Sequence, residues 1–226
     1  MSKQLTRRST ELLAPQMDFI LMDGSSSMAQ NWWPMIGALT EWRRKLLEHH
    51  INSHGIVATF SYSNNLQNIQ RDGRIADWTP LGGDERRRDA LGLDGGMTAL
   101  YDAINMMGRT MRDYDPPSAS LLIVTDGEEN ASRHTDDVQA RAILDWCRAK
   151  GWQVTFFGCD FDNSKQAASL GATERNTIGV RSQKLLEAGR TLGEKRVRNA
   201  ISGSEIQFTD EEKEAFGGYL TGPSSK

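Results

Sequence analysis

The sequence predicts an α/β fold: a Rossmann-like, doubly wound domain with a mostly parallel central sheet and helices on both faces. Three observations point to this class. Short apolar runs typical of buried strands alternate repeatedly with amphipathic helical segments. Acidic turns follow three predicted strands, and such sheets bind ligands beyond the carboxyl ends of their strands. The 226 residues, 38% of them hydrophobic, are enough to bury a full core.

The first part of the chain carries a strand, a long helix and three further strands. Pro34 fits the first turn of the helix, where its missing N–H costs little. The dipeptide Asp72-Gly73 is a hairpin signal between two short strands. The predicted elements are a strand at 16–22, a helix at 32–50, and strands at 56–62, 66–69 and 74–78.

The rest of the chain continues the alternation after a charged segment, 79–94, that is predicted to be a loop. Thr209 and Glu212 form a predicted capping box at the last helix. The predicted elements are a helix at 95–113, a strand at 120–125, a helix at 136–150, a strand at 152–157, a short helix at 165–170, an edge strand at 173–178, and helices at 180–201 and 209–216.

These elements divide the chain into three predicted parts. Residues 1–14 form a polar lead-in, residues 15–180 form the α/β domain, and residues 181–226 form a C-terminal helical extension with a polar tail. No internal repeat was found in the sequence.

The composition argues against several classes of function. The net charge of −3 comes from 27 basic and 30 acidic residues that are well mixed, unlike the basic footprint of a nucleic-acid binder. No apolar run approaches the roughly 18 residues that span a bilayer. The polar N-terminus lacks the apolar core of a signal peptide. We therefore expect a cytoplasmic protein, or one in the host cytoplasm or virion if it is phage-encoded.

Three short motifs bring oxygen-bearing side chains to strand ends or helix starts. Two carboxylates and three hydroxyls are hard donors, which Mg²⁺ prefers in octahedral geometry with several waters retained. Taken alone, the first motif is equally well explained as a turn that caps the next helix. The presence of all three favours a metal site. The motifs are Asp23-x-Ser25-x-Ser27, Gly96-Met97-Thr98 and Thr125-Asp126-Gly127.

These motifs, in this order and spacing, resemble those of the von Willebrand factor type A (vWA) domain family. That family has a metal-ion-dependent adhesion site made of Asp-x-Ser-x-Ser, a loop Thr, and an Asp after a central strand. The resemblance covers roughly residues 16–180. The motif variants Asp-Gly-Ser-x-Ser-Met and Thr-Asp-Gly-Glu are most similar to those of bacterial and phage intracellular members.

The resemblance implies a fold, a metal and a kind of partner. It implies that Mg²⁺ (or Mn²⁺) is surrounded by Asp23, Ser25, Ser27, Thr98 and Asp126. In the family the two serines, and in some states the threonine, contact the ion directly, and the aspartates often act through water. A carboxylate from a protein partner would complete the metal shell. No catalytic residue and no other cofactor is implied.

Other polar and aromatic residues near these motifs have simpler explanations. Glu128 and Glu129 are more easily explained as first-turn helix acids or solvent-facing residues than as groups near the metal. Trp32 is expected in the core, whereas Trp33 is a candidate contact residue, because aromatics are enriched in binding hot spots.

Three hypotheses for function follow from the sequence. The leading one is a metal-dependent protein-binding module that is not an enzyme. The second is a structural or assembly component of a phage particle or multi-protein complex. The third, a metal-dependent hydrolase or phosphatase, is disfavoured because an aspartyl phosphatase needs a second Asp where Ser25 stands.

Overall fold

A six-stranded sheet forms the centre of the computed structural model, which describes residues 16–61, 67–78 and 96–217. The strand order is β3-β2-β1-β4-β5-β6. β3 runs antiparallel to β2, and all other neighbouring strands are parallel, which confirms the predicted fold class. The strands are β1 (Gln16–Asp23), β2 (Ser53–Phe60), β3 (Gln67–Arg74), β4 (Ser118–Thr125), β5 (Gln153–Cys159) and β6 (Thr177–Val180).

Helices cover both faces of this sheet, because the central strands are apolar on both sides. Along β1, Phe19 and Leu21 belong to one buried cluster and Ile20 and Met22 to the other. The helices are α1 (Trp32–Glu48), α2 (Leu100–Tyr114), α3 (Asp137–Ala149), α4 (Ser164–Ser169), α5 (Leu185–Ser202) and α6 (Asp210–Phe216). The cluster with Phe19 and Leu21 includes residues of α2, α3 and α4, and the cluster with Ile20 and Met22 includes residues of α1, α5 and α6.

Two glycines allow α5 to approach α1 closely. A Cβ at Gly189 would lie 2.3 Å from the carbonyl oxygen of Ala38, and one at Gly193 would lie 2.9 Å from that of Trp42. Because the two glycines are four residues apart, they share one face of α5. The backbone of α5 therefore lies against the backbone of α1 at both glycines.

A buried ion pair joins α5 to the start of β1. Arg196 and Asp18 are each 1% exposed, and the Arg196 Nε donates to Asp18 Oδ1 at 2.6 Å. Ser53 on β2 donates a further hydrogen bond to the same carboxylate. The remaining carboxylate oxygen is thus satisfied, as a buried charge requires.

The segment after α5 packs on the same core as the sheet. Ile206, Phe208 and Phe216 are buried in the cluster that α1 and α5 form. The predicted capping box at Thr209 and Glu212 is present. The boundary drawn at residue 180 stays a prediction, and the lead-in at 1–14 and the last residues of the tail, 218–226, lie outside the described residues.

The predicted hairpin at Asp72-Gly73 is wrong. Residues on both sides of the dipeptide belong to one strand, β3, and Gly73 pairs with Gly55 of β2. Asp-Gly favours a turn locally, but pairing with β2 satisfies the backbone groups of the whole segment. The chain then forms a 3₁₀ turn at Ile75–Asp77 instead of a strand.

Several other predicted boundaries move by a few residues. β2 begins three residues early because Ser53 to Gly55 pair with Gln16 to Asp18 of β1. The edge strand β6 begins at Thr177, four residues late. The predicted loop at 79–94 lies outside the described residues. Within the described ranges, no helix is long and apolar enough to cross a membrane.

Candidate functional site

The candidate site lies where the chain reverses its direction of travel through the sheet. β1 and β4 are neighbours at the centre, and the chain leads outward from them to β3 on one side and β6 on the other. Ligands in open α/β sheets bind at such a switch point, beyond the carboxyl ends of the strands. Asp23 is the last residue of β1, and Asp126 directly follows β4.

Hydrogen bonds link the side chains of the first motif to Asp126. The Ser25 backbone N–H donates to Asp23 Oδ1 at 2.8 Å. The Ser25 and Ser27 hydroxyl oxygens lie 2.9 Å apart, and Ser27 Oγ donates to Asp126 Oδ1 at 2.6 Å. Ser27 therefore links the Ser25 hydroxyl to the carboxylate that follows the neighbouring strand.

Thr98 reaches the same point from the turn that precedes α2. Its hydroxyl donates to Asp23 Oδ2 at a long 3.4 Å, and its side chain is 3% exposed. A Cβ added to Gly127 would lie 3.7 Å from Thr98 Oγ1 and 3.8 Å from Ser27 Oγ. All five predicted residues are therefore brought together.

A second set of bonds ties the first motif to the Gly96 turn and to the end of β2. Ser26 Oγ accepts from the Gly96 backbone N–H at 2.7 Å. Gly96 has φ of 93°, a conformation that glycine adopts without strain. Gly24 N–H donates to Phe60 O at 2.7 Å, which fixes the turn to the end of β2. The site thus stands on three connected segments of backbone.

Both carboxylates are harder to ionise than usual. Burial raises the pKa of Asp23 to about 6, against the lowering effect of hydrogen bonds from Ser25 and Thr125. Burial also raises the pKa of Asp126, which hydrogen bonds from Ser27 and Asn31 oppose. Neighbouring carboxylates add to the rise in pKa: Asp126 acts on Asp23, and Asp160 acts on Asp126.

This environment fits a bound divalent cation. The two carboxylates are buried or half-buried, and among the described residues no cationic side chain is a leading influence on the pKa of either. A hard cation would supply the missing positive charge, and the hydroxyls would supply neutral oxygen ligands. Among the described residues no group of three or more His, Cys, Asp or Glu side chains is placed to hold a metal. A site here would therefore depend on the hydroxyls.

Sequence reasoning missed residues that support these five. Thr125 Oγ1 donates to Asp23 Oδ2 at 2.7 Å, a shorter bond than that from Thr98. Thr125 stood inside a recognised motif, so its position in the sequence could have identified it. Asn130, which bonds the backbone of Thr98, carried no such signal.

The acidic and aromatic neighbours of the site fall into two kinds. Glu128 is exposed, as expected for a solvent-facing residue. Glu129 instead accepts hydrogen bonds from the backbone of α2 and of its own loop. Trp32 is fully buried, whereas Trp33 is 37% exposed close to the start of α1, at the same end of the sheet.

Comparisons with known proteins identify the fold. The sequence matches no protein-family model and no curated protein. Among the solved structures that resemble the chain is the vWF domain of the type V pili tip protein Mfa5 from Porphyromonas gingivalis, with a TM-score of 0.62 and 12% identity. Others are the pilus adhesin SpaC from Lactobacillus rhamnosus GG, with a TM-score of 0.61 and 11% identity, and a von Willebrand factor type A structure from Catenulispora acidiphila, with 0.55 and 14%.

These matches cover most of this chain but unequal shares of the other proteins. They include 88%, 85% and 83% of this chain, respectively. The chain spans 99% of the Mfa5 domain, but only 31% of the SpaC chain and 43% of the Catenulispora chain. At such low identity the likeness concerns architecture alone. The protein therefore has the fold of a von Willebrand factor type A domain.

Proposed function

We propose that this protein is a binding module that engages a carboxylate of a protein partner through Mg²⁺ (or Mn²⁺) held at the switch point. The observation that carries the proposal is the convergence of Asp23, Ser25, Ser27, Thr98 and Asp126. Two carboxylates and three hydroxyls from three separate segments meet there within hydrogen-bond distances.

The arrangement of these residues explains how a partner would be held. Mg²⁺ is usually bound by one or two carboxylates and keeps several waters, so a carboxylate of the partner would replace one of these waters. Ser27 is exposed and Asp126 is half-buried, so the site opens toward solvent on that side. Asp23 is fully buried and forms the inner side of the site, at the end of β1.

The first test is a calorimetric titration of the full chain with Mg²⁺ alone. We expect one bound ion per chain, and we expect binding to be lost in Asp23→Ala and Ser25→Ala. Glu128→Gln is the matched control, because it removes an exposed acidic charge next to the site without removing a proposed ligand. Circular dichroism of each variant separates loss of binding from loss of fold. Absence of Mg²⁺ binding to the native protein would contradict the proposal.

The second test concerns the partner carboxylate. The tagged protein is incubated with lysate of its native host in Mg²⁺, and bound proteins are eluted with chelator. A partner that elutes with chelator, and is not retained by Ser25→Ala, fits the proposal. Retention that is unchanged in chelator would rule out metal-dependent engagement.

A structural or assembly role is the second candidate. It is favoured by the neighbours' descriptions, since SpaC is a pilus adhesin, Mfa5 a pili tip protein, and another match a thread matrix protein of the mussel byssus. Growth of the particle size with protein concentration in light scattering, independent of Mg²⁺, would favour this role.

A non-enzymatic role and a cytoplasmic or virion location remain part of the proposal. Phosphoester turnover that Asp23→Ala abolishes would instead indicate a hydrolase.

A further inference from the structure

Two hydrogen bonds join Asn130 to the backbone of Thr98. The Thr98 N–H donates to Asn130 Oδ1 at 2.8 Å, and the Asn130 N–H donates to Thr98 O at 3.0 Å. Asn130 lies four residues after Asp126, in the loop that follows β4. One residue of this loop therefore holds both backbone polar groups of a candidate ligand that comes from a different loop.

The neighbouring residue Glu129 binds the start of α2. Its Oε2 accepts from the Tyr101 N–H at 3.0 Å, while its Oε1 accepts from the N–H groups of Ala131 and Ser132 at 2.8 and 2.7 Å. The N-cap position of α2 is Ala99, which has no side-chain cap. A carboxylate at a helix N-terminus satisfies free N–H groups and complements the helix dipole. Glu129 thus supplies the cap that the local sequence lacks.

Further bonds lock the same two segments together. Ser132 Oγ accepts from the Asp102 N–H at 3.0 Å. The Asp102 carboxylate in turn accepts from the N–H groups of Arg133 and His134 at 2.8 and 3.0 Å. Gln166 Oε1 on α4 accepts from the Glu129 N–H at 2.7 Å. The loop after Asp126 and the first turn of α2 therefore behave as one hydrogen-bonded unit.

We propose that Asn130 and Glu129 are positioning residues of the metal site, which fix the distance between Thr98 and Asp126. The inference rests on the proposed metal-binding function. Neither side chain would touch the ion. Asn130 holds Thr98 directly, and Glu129 holds the helix start that follows it, so the hydroxyl and the Asp126 carboxylate keep one geometry before any ion arrives.

The main test compares Asn130→Ala with Asn130→Asp, because only the second keeps an oxygen that can accept from the Thr98 N–H. Calorimetric titration with Mg²⁺ alone is done well below the unfolding temperature, so that global destabilisation does not alter the dissociation constant. We expect Asn130→Ala to weaken Mg²⁺ binding about tenfold or more, as outer-shell partners of metal ligands do. Asn130→Asp should bind at least as tightly as the native protein. Glu128→Gln is the control for a neighbouring acidic residue.

A second readout does not need the metal. Hydrogen exchange of the Thr98 amide, measured by NMR in chelator, should be faster by about tenfold in Asn130→Ala and unchanged in Asn130→Asp, since loss of this partly buried hydrogen bond favours local opening. A Thr98 amide that exchanges in Asn130→Ala at the same rate as in the native protein would overturn the positioning role. A lower unfolding temperature with an unchanged Mg²⁺ dissociation constant would overturn it as well. Failure of the native protein to bind Mg²⁺ contradicts the proposed function instead, so the two failures are distinguishable.

Discussion

A single buried carboxylate shows most clearly how this site differs from an ordinary turn. Asp23 is fully buried at the end of β1, and its two oxygens accept from Ser25 N–H and Thr125 Oγ1 at 2.8 and 2.7 Å. These bonds favour the ionised form, but burial outweighs them and raises its pKa to about 6. Without a cation, an ionised Asp23 therefore destabilises the fold.

Replacement of Asp23 by Asn should stabilise the metal-free protein. Because the folded pKa of about 6 exceeds the ordinary value of 3.8, the native carboxylate costs stability as pH rises from about 4 to above 6. Asn has nearly the same shape and no charge. The shift corresponds to roughly 3 kcal/mol at pH 7.5, and denaturant unfolding in chelator at pH 7.5 and pH 4 measures it.

The same substitution should remove the stabilisation that Mg²⁺ gives the native protein, if the proposed site is correct. The control is Glu128→Gln, an exposed change that should stay within about 0.5 kcal/mol of native at both pH values. This account would be contradicted if Asp23→Asn were less stable than the native protein at pH 7.5. It would also be contradicted if the two proteins differed in free energy of unfolding by the same amount at pH 4 and pH 7.5.

At the scale of single elements, the helix starts divide into local and distant caps. α3 and α6 begin with capping boxes, at Asp136 with Gln139 and at Thr209 with Glu212. Both partners lie three residues apart, so a sequence pattern can reveal them. α2 takes its cap from Glu129, and no local pattern can show this, because the two groups are brought together by the sheet.

The contact between α1 and α5 allows a sharp test of packing. Gly189→Ala should destabilise the fold by about 1–3 kcal/mol, since the added methyl would lie 2.3–2.7 Å from backbone atoms of Ala38. Thermal or denaturant unfolding measures the loss of stability. The clash must outweigh the gain of about 1 kcal/mol in helix propensity that alanine brings.

Gly37→Ala on the facing helix is the matched control. Its methyl would meet only the flexible end of the Leu186 side chain, at 3.2 Å, so helix propensity should make the change neutral or stabilising. Equal effects of the two substitutions would show that the helices can separate freely, contrary to the close contact described above.

At the scale of the molecule, the segment after α5 shares one core with the sheet. Phe208 is 2% exposed, its ring lies 5.5 Å from the Lys195 Nζ, and its N–H donates to Arg175 O at 2.7 Å. Gly217 packs so closely on β6 that a Cβ there would lie 2.4 Å from Gly179 O. We therefore expect the sheet and this segment to unfold together.

Phe208→Ala should lower the free energy of unfolding of the whole protein by about 3–5 kcal/mol, as for other large-to-small core changes. The measurement is equilibrium unfolding followed by tryptophan fluorescence and by far-ultraviolet circular dichroism. Val138→Ala, at a position 71% exposed, is the control and should have little effect. Separate transitions, or a loss confined to one probe, would show that the segment folds independently.

The sequence by itself determined the alternation of strands and helices, and with it the doubly wound class. It also located the five candidate ligands, because motif residues at strand ends must meet at one edge of a parallel sheet. These are consequences of period and spacing, which local sequence contains. The same local reasoning failed at Asp72-Gly73, where strand pairing overrode a turn signal.

Only the tertiary structure decided which residues support the site and where the core ends. Asn130 bonds Thr98 and Glu129 bonds Tyr101, although the partners are 28 or more positions apart in sequence. Arg196 of α5 pairs with Asp18 of β1, which is 178 positions away. Neither a propensity nor a spacing rule extends over such distances. The physical reason is that buried polar groups take whatever partner the fold brings within hydrogen-bond reach.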